Sequence, residues 1–319
     1  MVEGRRPLPT PAHASDILCR AMTDEPTHSS IPPVETPVGQ GAPEAPPDGG
    51  AAVPRDKRRK WIRRVANLLI VAGVLAIPAY YGGTCACTAI EQNRLREDLE
   101  AANPQLAVAE EALTSGELFV VETSTTTTTI DPDATVEEID EVEAAIAAAK
   151  AERDAKLAAF KAAATEYALT VSGKIGEPVG KILIPKIGVD VVVVEGTSVR
   201  DLKEGPGHWE ETPYPGQGGN FVVSGHRTTY GAPFFKLNEL EPGDHIDLVL
   251  PYAVVRYAVT SVFIVYPDEV ETVAQKGREQ ISLAACHPIY SAKQRIVAQG
   301  ELVSFKLIEP EAVTPSAGG

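Results

Sequence analysis

The chain has 319 residues and a formal net charge of −15, from 29 Lys and Arg against 44 Asp and Glu. That excess of negative charge argues against duplex nucleic acid as a partner. Four cysteines, Cys19, Cys85, Cys87 and Cys286, are too few and too scattered to form a disulfide framework, and a bridge between Cys85 and Cys87 across one residue would be strained.

Residues 1–54 hold 11 of the 26 prolines and few aliphatic residues. Such a segment cannot bury enough apolar surface to offset its chain entropy, so 1–64 reads as a disordered Pro-rich tail ending in a basic cluster. The cluster, Arg55-Asp56-Lys57-Arg58-Arg59-Lys60-Trp61-Ile62-Arg63-Arg64, carries seven basic residues. An apolar run over 65–81 follows, with only Asn67 strongly polar, and the span is assigned to 65–84. Trp61 at one end and Tyr80-Tyr81 at the other suit the two interfaces. The positive charge precedes the run, so the expected orientation is single-pass, with a cytoplasmic N-terminus and everything beyond the span outside the membrane. The run starts too late for a cleaved signal peptide of the usual pattern.

Residues 85–171 are expected to form an extracytoplasmic helical stalk interrupted by a Thr-rich linker. A first helix is read over 88–102, ending before Pro104, and five consecutive Thr over 125–129 cannot pack a core. A second helix is read over 135–167. Ile139, Val142, Ile146, Ala149, Arg153, Leu157, Phe160, Ala164 and Tyr167 recur on it at spacings of three and four. That face suits packing on the first helix or on a second copy, or else the helix is a solvated Ala-rich stalk.

From 172 to 309 the texture changes to short apolar runs between turn residues, over 181–187, 189–194, 220–223, 245–250, 254–265, 280–285 and 296–305. β-Branched residues dominate several of them, which predicts an all-β barrel or sandwich. Short helical turns are expected at 199–203, 233–237 and 268–275, and a disordered tail over 310–319.

Cys286 ends an apolar run and precedes Pro288. An isolated strand cysteine is most often a small inert hydrophobe. Against that stand its expected extracytoplasmic setting, its place at a strand end and its electropositive neighbours; from the residues alone both readings stand. His226, between Gly225 and Arg227, suits a general acid for a leaving amine, or equally a turn residue bonded to backbone. His208, in a loop, is a rival; His245 beside Asp244 reads as solvated, and His287 should point to the opposite face from Cys286. Arg295, opening the run over 296–298, suits either a surface position or an oxyanion donor.

Several segments in order resemble the sortases, in particular the class E type of high-GC Gram-positive bacteria. They are Gly180-Lys181-Ile182-Leu183-Ile184-Pro185-Lys186-Ile187-Gly188, Val193-Val194-Glu195-Gly196-Thr197, Gly205-Pro206-Gly207-His208, Ser224-Gly225-His226-Arg227-Thr228-Thr229-Tyr230-Gly231-Ala232-Pro233-Phe234, Cys286-His287-Pro288 and Ser291-Ala292-Lys293-Gln294-Arg295. The resemblance covers about 173–305 and implies an eight-stranded sortase-type β-barrel with short helices, preceded by the membrane helix and the stalk. It implies a Cys286 nucleophile, a His226 acid/base and an Arg295 oxyanion or substrate-positioning cation, with no cofactor and no metal. The implied substrates are secreted proteins bearing a C-terminal sorting signal, cleaved between Thr and Gly, and an amine of a peptidoglycan precursor or stem peptide. Class E members are associated with Leu-Ala-X-Thr-Gly signals rather than Leu-Pro-X-Thr-Gly, and Tyr230 is implicated in that choice. Ala284 and Ala285 replace the hydroxyl-bearing residues usual before the cysteine, and Ala285 is expected to border the bound substrate. A pilin-polymerising sortase fits less well, because neither an active-site lid nor a C-terminal span is evident. A weakly active wall-binding scaffold is the remaining alternative.

Overall fold

The computed structural model describes residues 55–116, 118–121, 136–269, 274–275 and 277–308. The expected Pro-rich tail over 1–54, the Thr-rich linker and the 310–319 tail lie outside them. The chain divides into two units, Met1–Thr84 and Cys85–Gly319.

Helix α1 spans Arg55–Ala102 and contains Pro78. In the first unit its residues Leu68, Leu69, Ile70, Val74, Leu75 and Ile77 are all exposed. A helix that is apolar around its circumference and buries none of it in protein is suited to lipid. Among the described residues one helix is long and apolar enough to cross a membrane, and this is it.

In the second unit, α1 ends at Ala102, just before Pro104, and α2 (Leu106–Ser115) follows. Leu95 and Leu99 of α1 and Leu106 and Ala109 of α2 form one buried cluster with Val192, Val194, Val249 and Val254. The 3–4 spacing of the helical residues meets the alternate, outward-facing positions of the strands. Gln92 joins the two chemically: its amide oxygen accepts from the Val192 N–H at 2.7 Å and its amide nitrogen donates to Val192 O at 3.0 Å and Glu204 O at 2.9 Å.

A two-residue strand β1 (Phe119–Val120) and helix α3 (Val136–Val171) lead into the barrel. Its strands are β2 (Pro178–Ile184), β3 (Val189–Glu195), β4 (Gly207–His208), β5 (Asn220–Ser224), β6 (His245–Leu250), β7 (Ala253–Val265), β8 (Gln280–His287) and β9 (Gln294–Leu307). A short helix α4 (Val199–Glu204) is held at its start by a reciprocal capping box between Ser198 and Asp201. The strand order β9-β7-β6-β2-β3-β4-β5-β8 closes through β8–β9, which makes an eight-stranded barrel; β1 adds to β9 at Phe305 and Ser304. The β3–β4 and β5–β8 pairs are parallel and the others antiparallel.

The strand expected over 181–187 is shifted. It runs Pro178–Ile184 and gives way to a 3-10 turn at Pro185–Ile187, because Pro185 has no N–H for the ladder. The turn expected over 233–237 contains a 3-10 segment three residues later than its centre, at Leu237–Glu239. The one expected over 268–275 runs partly outside the described residues.

The periodic face on α3 does not behave as one surface. Ile146 is exposed, whereas Phe160, Ala164 and Val171 are buried in the main barrel core with Leu157 and Tyr167 partly covered. Phe160 stacks on Phe305 of β9 with ring centroids 4.3 Å apart, and the Tyr167 hydroxyl donates to Val179 O at 2.7 Å. The same 3–4 periodicity therefore serves the barrel over its C-terminal turns and solvent over its middle. Phe160→Ala is predicted to lower the unfolding free energy of the full chain by about 3–5 kcal/mol in urea titration. A loss under about 1 kcal/mol would show that these turns of α3 do not share the barrel core.

Candidate active site

The ends of three strands build a cleft of about 330 Å³ lined by His226, Cys286 and Arg295 together with Trp209, Ser224, Val265, Tyr266, Glu269, Ala284 and Val297. Register places these residues. Strand β5 runs parallel to β8 with Ser224 opposite Ala284, and the Gly225 N–H continues the ladder to Ala284 O at 3.0 Å. His226 thus leaves the sheet beside the end of β8. Strand β9 runs antiparallel to β8 with Arg295 directly opposite Cys286. Parallel and antiparallel neighbours of one central strand so bring an imidazole, a thiol and a guanidinium to one rim.

Alternation along β8 sorts the faces. Ile281, Leu283 and Ala285 belong to the barrel core, while Ala284 packs outside it with Val222 and Val297, against partly buried Trp209, Phe263 and Val265. Ala284, two residues from Cys286, therefore floors the cleft. Ala285 borders it too, but its side chain packs in the core. The expectation that Ala285 is the alanine presented to a substrate shifts by one residue, because a period of two puts Cys286 and Ala284 on one face.

Gly225 must be glycine: a Cβ there would come within 2.6 Å of the Phe234 ring. That close approach holds the turn carrying His226. The Thr229 hydroxyl lies 3.4 Å from His226 Nδ1, and Nε2 is buried with no hydrogen-bond partner. Burial holds the imidazole below its usual value of 6.5, and the Lys203 ammonium acts in the same direction. At neutral pH the ring is therefore uncharged and able to accept a proton.

Tyr230 is not among the cleft-lining residues; its ring packs on His226 instead, with centroids 4.8 Å apart. Its backbone, with Gly231 and Ala232, has positive φ for three successive residues, a conformation costly for Tyr and Ala. The Lys203 ammonium lies 5.7 Å from the Tyr230 ring centroid, and the Thr88 hydroxyl of α1 donates to Lys203 O at 3.0 Å. Arg295 Nη1 donates to Ala292 O at 2.9 Å and Gln294 O at 3.0 Å, which fixes the guanidinium at the start of β9.

The rival histidines lie elsewhere in the chemistry. His208 is fully buried, with Nδ1 2.8 Å from Glu195 and Nε2 3.0 Å from the Thr212 hydroxyl. His245 is exposed at the start of β6. His287 pairs with Arg227 at 2.9 Å. Two features of the site had no sequence signal: Arg227 is buried behind Cys286, and Trp209 Nε1 donates to the Ser224 hydroxyl at 2.6 Å on the cleft wall.

A depressed histidine has a defined effect on stability. The unfolded chain binds the proton more readily, so the contribution of His226 is present above about pH 6.5 and is lost as pH falls through its folded value. In His226→Gln, unfolding free energy should fall less than in the parent between about pH 7 and about pH 5. An identical fall in both proteins would contradict the burial of this imidazole.

Residues 182–303 match the family model of the sortase domain. Sortase D of Bacillus subtilis is 35% identical over 133 residues, covering 40% of this chain and 66% of that protein. Sortase SrtE1 of Streptomyces coelicolor is 30% identical over 144 residues, covering 40% and 41%. A crystal structure of sortase E1 from Streptomyces coelicolor with a tripeptide in the active site is 30% identical, with a TM-score of 0.40, covering 43% of this chain and 96% of that one. The chain spans from 41% to 66% of the length of the curated relatives it matches.

Proposed function

Because the chain carries a sortase domain, the catalytic domain of a family of cysteine transpeptidases, we propose that it cleaves a C-terminal sorting signal between Thr and Gly through a Cys286 thioester and passes the acyl group to an amine of the cell wall. The observation that carries this reading is the convergence of Cys286, His226 and Arg295 on one cleft.

His226, neutral at rest, takes the Cys286 proton, and the thiolate attacks the Thr carbonyl carbon. The carbonyl π electrons move onto oxygen, and the Arg295 guanidinium meets that charge as it grows. Collapse expels the Gly nitrogen, which receives the proton held by His226. The thioester then remains on Cys286 until an amine attacks it, with His226 accepting the amine proton and returning it to the departing thiol. Water in place of the amine gives hydrolysis.

The apolar cleft wall of Ala284, Val265 and Val297 suits the aliphatic start of a sorting signal. A class E preference for Leu-Ala-X-Thr-Gly rests on the motif running from Ser224 to Phe234, since matched relatives include sortases named D and A as well as E. We place the N-terminus in the cytoplasm and the barrel outside, on the basic residues that precede the apolar window of α1. Domain bounds of 1–64 for the tail, 65–84 for the span, 85–171 for the stalk and 172–309 for the barrel accompany this reading.

The test uses the full chain in detergent with Leu-Ala-X-Thr-Gly and Leu-Pro-X-Thr-Gly peptides, with and without an amine acceptor. A thioester on Cys286 is expected by intact-mass analysis, absent in Cys286→Ala. Loss of peptide cleavage by about 100-fold or more is expected in His226→Ala and Arg295→Ala. No adduct with either peptide would overturn the reading, and near-parent rates in either variant would overturn its assigned role.

A further inference from the structure

Arg227 follows His226 in sequence but faces away from the cleft, and only 3% of it is exposed. Its guanidinium reaches four partners. Nε donates to Phe235 O at 3.3 Å, Nη1 to Cys286 O at 3.3 Å and to His287 Nδ1 at 2.9 Å, and Nη2 to Asn238 Oδ1 at 2.6 Å. Arg cannot accept, so His287 Nδ1 is the acceptor and its ring is neutral. These four partners are all uncharged. A buried cation satisfied only by neutral groups is an expensive arrangement, and an anion formed close by offsets part of that cost.

The bond to the Cys286 carbonyl has a second consequence. Residues 226 and 227 are consecutive, so tying one to the Cys286 backbone fixes the other relative to the Cys286 thiol. We propose that Arg227 is a positioning residue for the thiol–imidazole pair: it locks the His226 turn to the end of β8 and its uncompensated buried charge favours the Cys286 thiolate. This rests on Cys286 being the nucleophile, as proposed above. Burial pulls the Arg227 pKa down while the charge on Cys286 pushes it up, a coupling in the same sense.

Other charges face the thiol. His226 and Arg295 line the cleft with Glu269 and Tyr266, Lys203 of α4 stands beyond Tyr230, and His287 flanks Cys286 on β8. The test must therefore change Arg227 alone. Asn238→Asp does so with almost no change of shape, because it puts a carboxylate on Arg227 Nη2 and compensates its charge. Arg227→Gln removes the charge outright.

The measurement is the pH dependence of Cys286 alkylation by iodoacetamide in the full chain, read on the Cys286 peptide by mass spectrometry, with circular dichroism confirming the fold. Both variants should raise the alkylation midpoint by about one pH unit, while Arg227→Lys, which keeps the charge, should leave it near the parent value. A midpoint unmoved in Asn238→Asp would overturn the proposal even if Arg227→Gln failed to fold, and so would an equal rise in Arg227→Lys. Absence of a sorting-peptide thioester in the parent would instead sink the nucleophile reading, so the two failures are distinguishable.

Discussion

Everything at the cleft depends on the two neighbours of β8. On one side β5 runs parallel to it, on the other β9 runs antiparallel, and this single difference delivers a strand's C-terminal end and another's N-terminal start to the same rim. A slip of one residue in either pairing would turn Cys286 into the barrel core and bring Ala285 to the cleft. The core residues Ile281, Leu283 and Ala285 oppose that slip, since it would exchange buried aliphatic side chains for Ser282 and Cys286. The hydrophobic core thus sets the catalytic geometry.

Around that constraint the site is supported from two directions. Inside, Gly225 lets Phe234 pack against the His226 turn, and Arg227 ties the same turn to the Cys286 carbonyl. Outside, Tyr230 packs on the imidazole, Lys203 approaches Tyr230, and Thr88 and Gln92 of α1 bind the end of α4. The membrane-proximal turns of α1 are in this way continuous with the support of the acid/base residue. They do more than lead up to the barrel.

Much of the barrel was legible in the sequence because period-two apolar runs ending in Gly, Pro or Asp have few other readings. The strand at His245–Leu250 was read without error, and several others to within two residues. Pro185 misled: an apolar run continued through it, while the missing N–H ended the strand. The residues around Cys286 were legible as chemistry, but their faces were not sorted until register assigned Ala284 to the cleft and Ala285 to the core. Arg227 could not be read at all, since an arginine beside a turn looks solvated. Its burial comes from Asn238 and His287, which are distant in sequence. The helix at Val136–Val171 shows the converse, with one repeat pattern serving two environments.

The central claim is that register brings the Cys286 thiol and the His226 imidazole together before any substrate binds. A bifunctional alkylator of three-carbon reach, such as 1,3-dibromoacetone, tests it directly on the full chain. The account predicts a Cys286–His226 cross-linked peptide in the folded protein that disappears when the chain is alkylated in strong denaturant. Single alkylation of Cys286 with no bridge to His226, or a bridge to His208 or His287 instead, would contradict it.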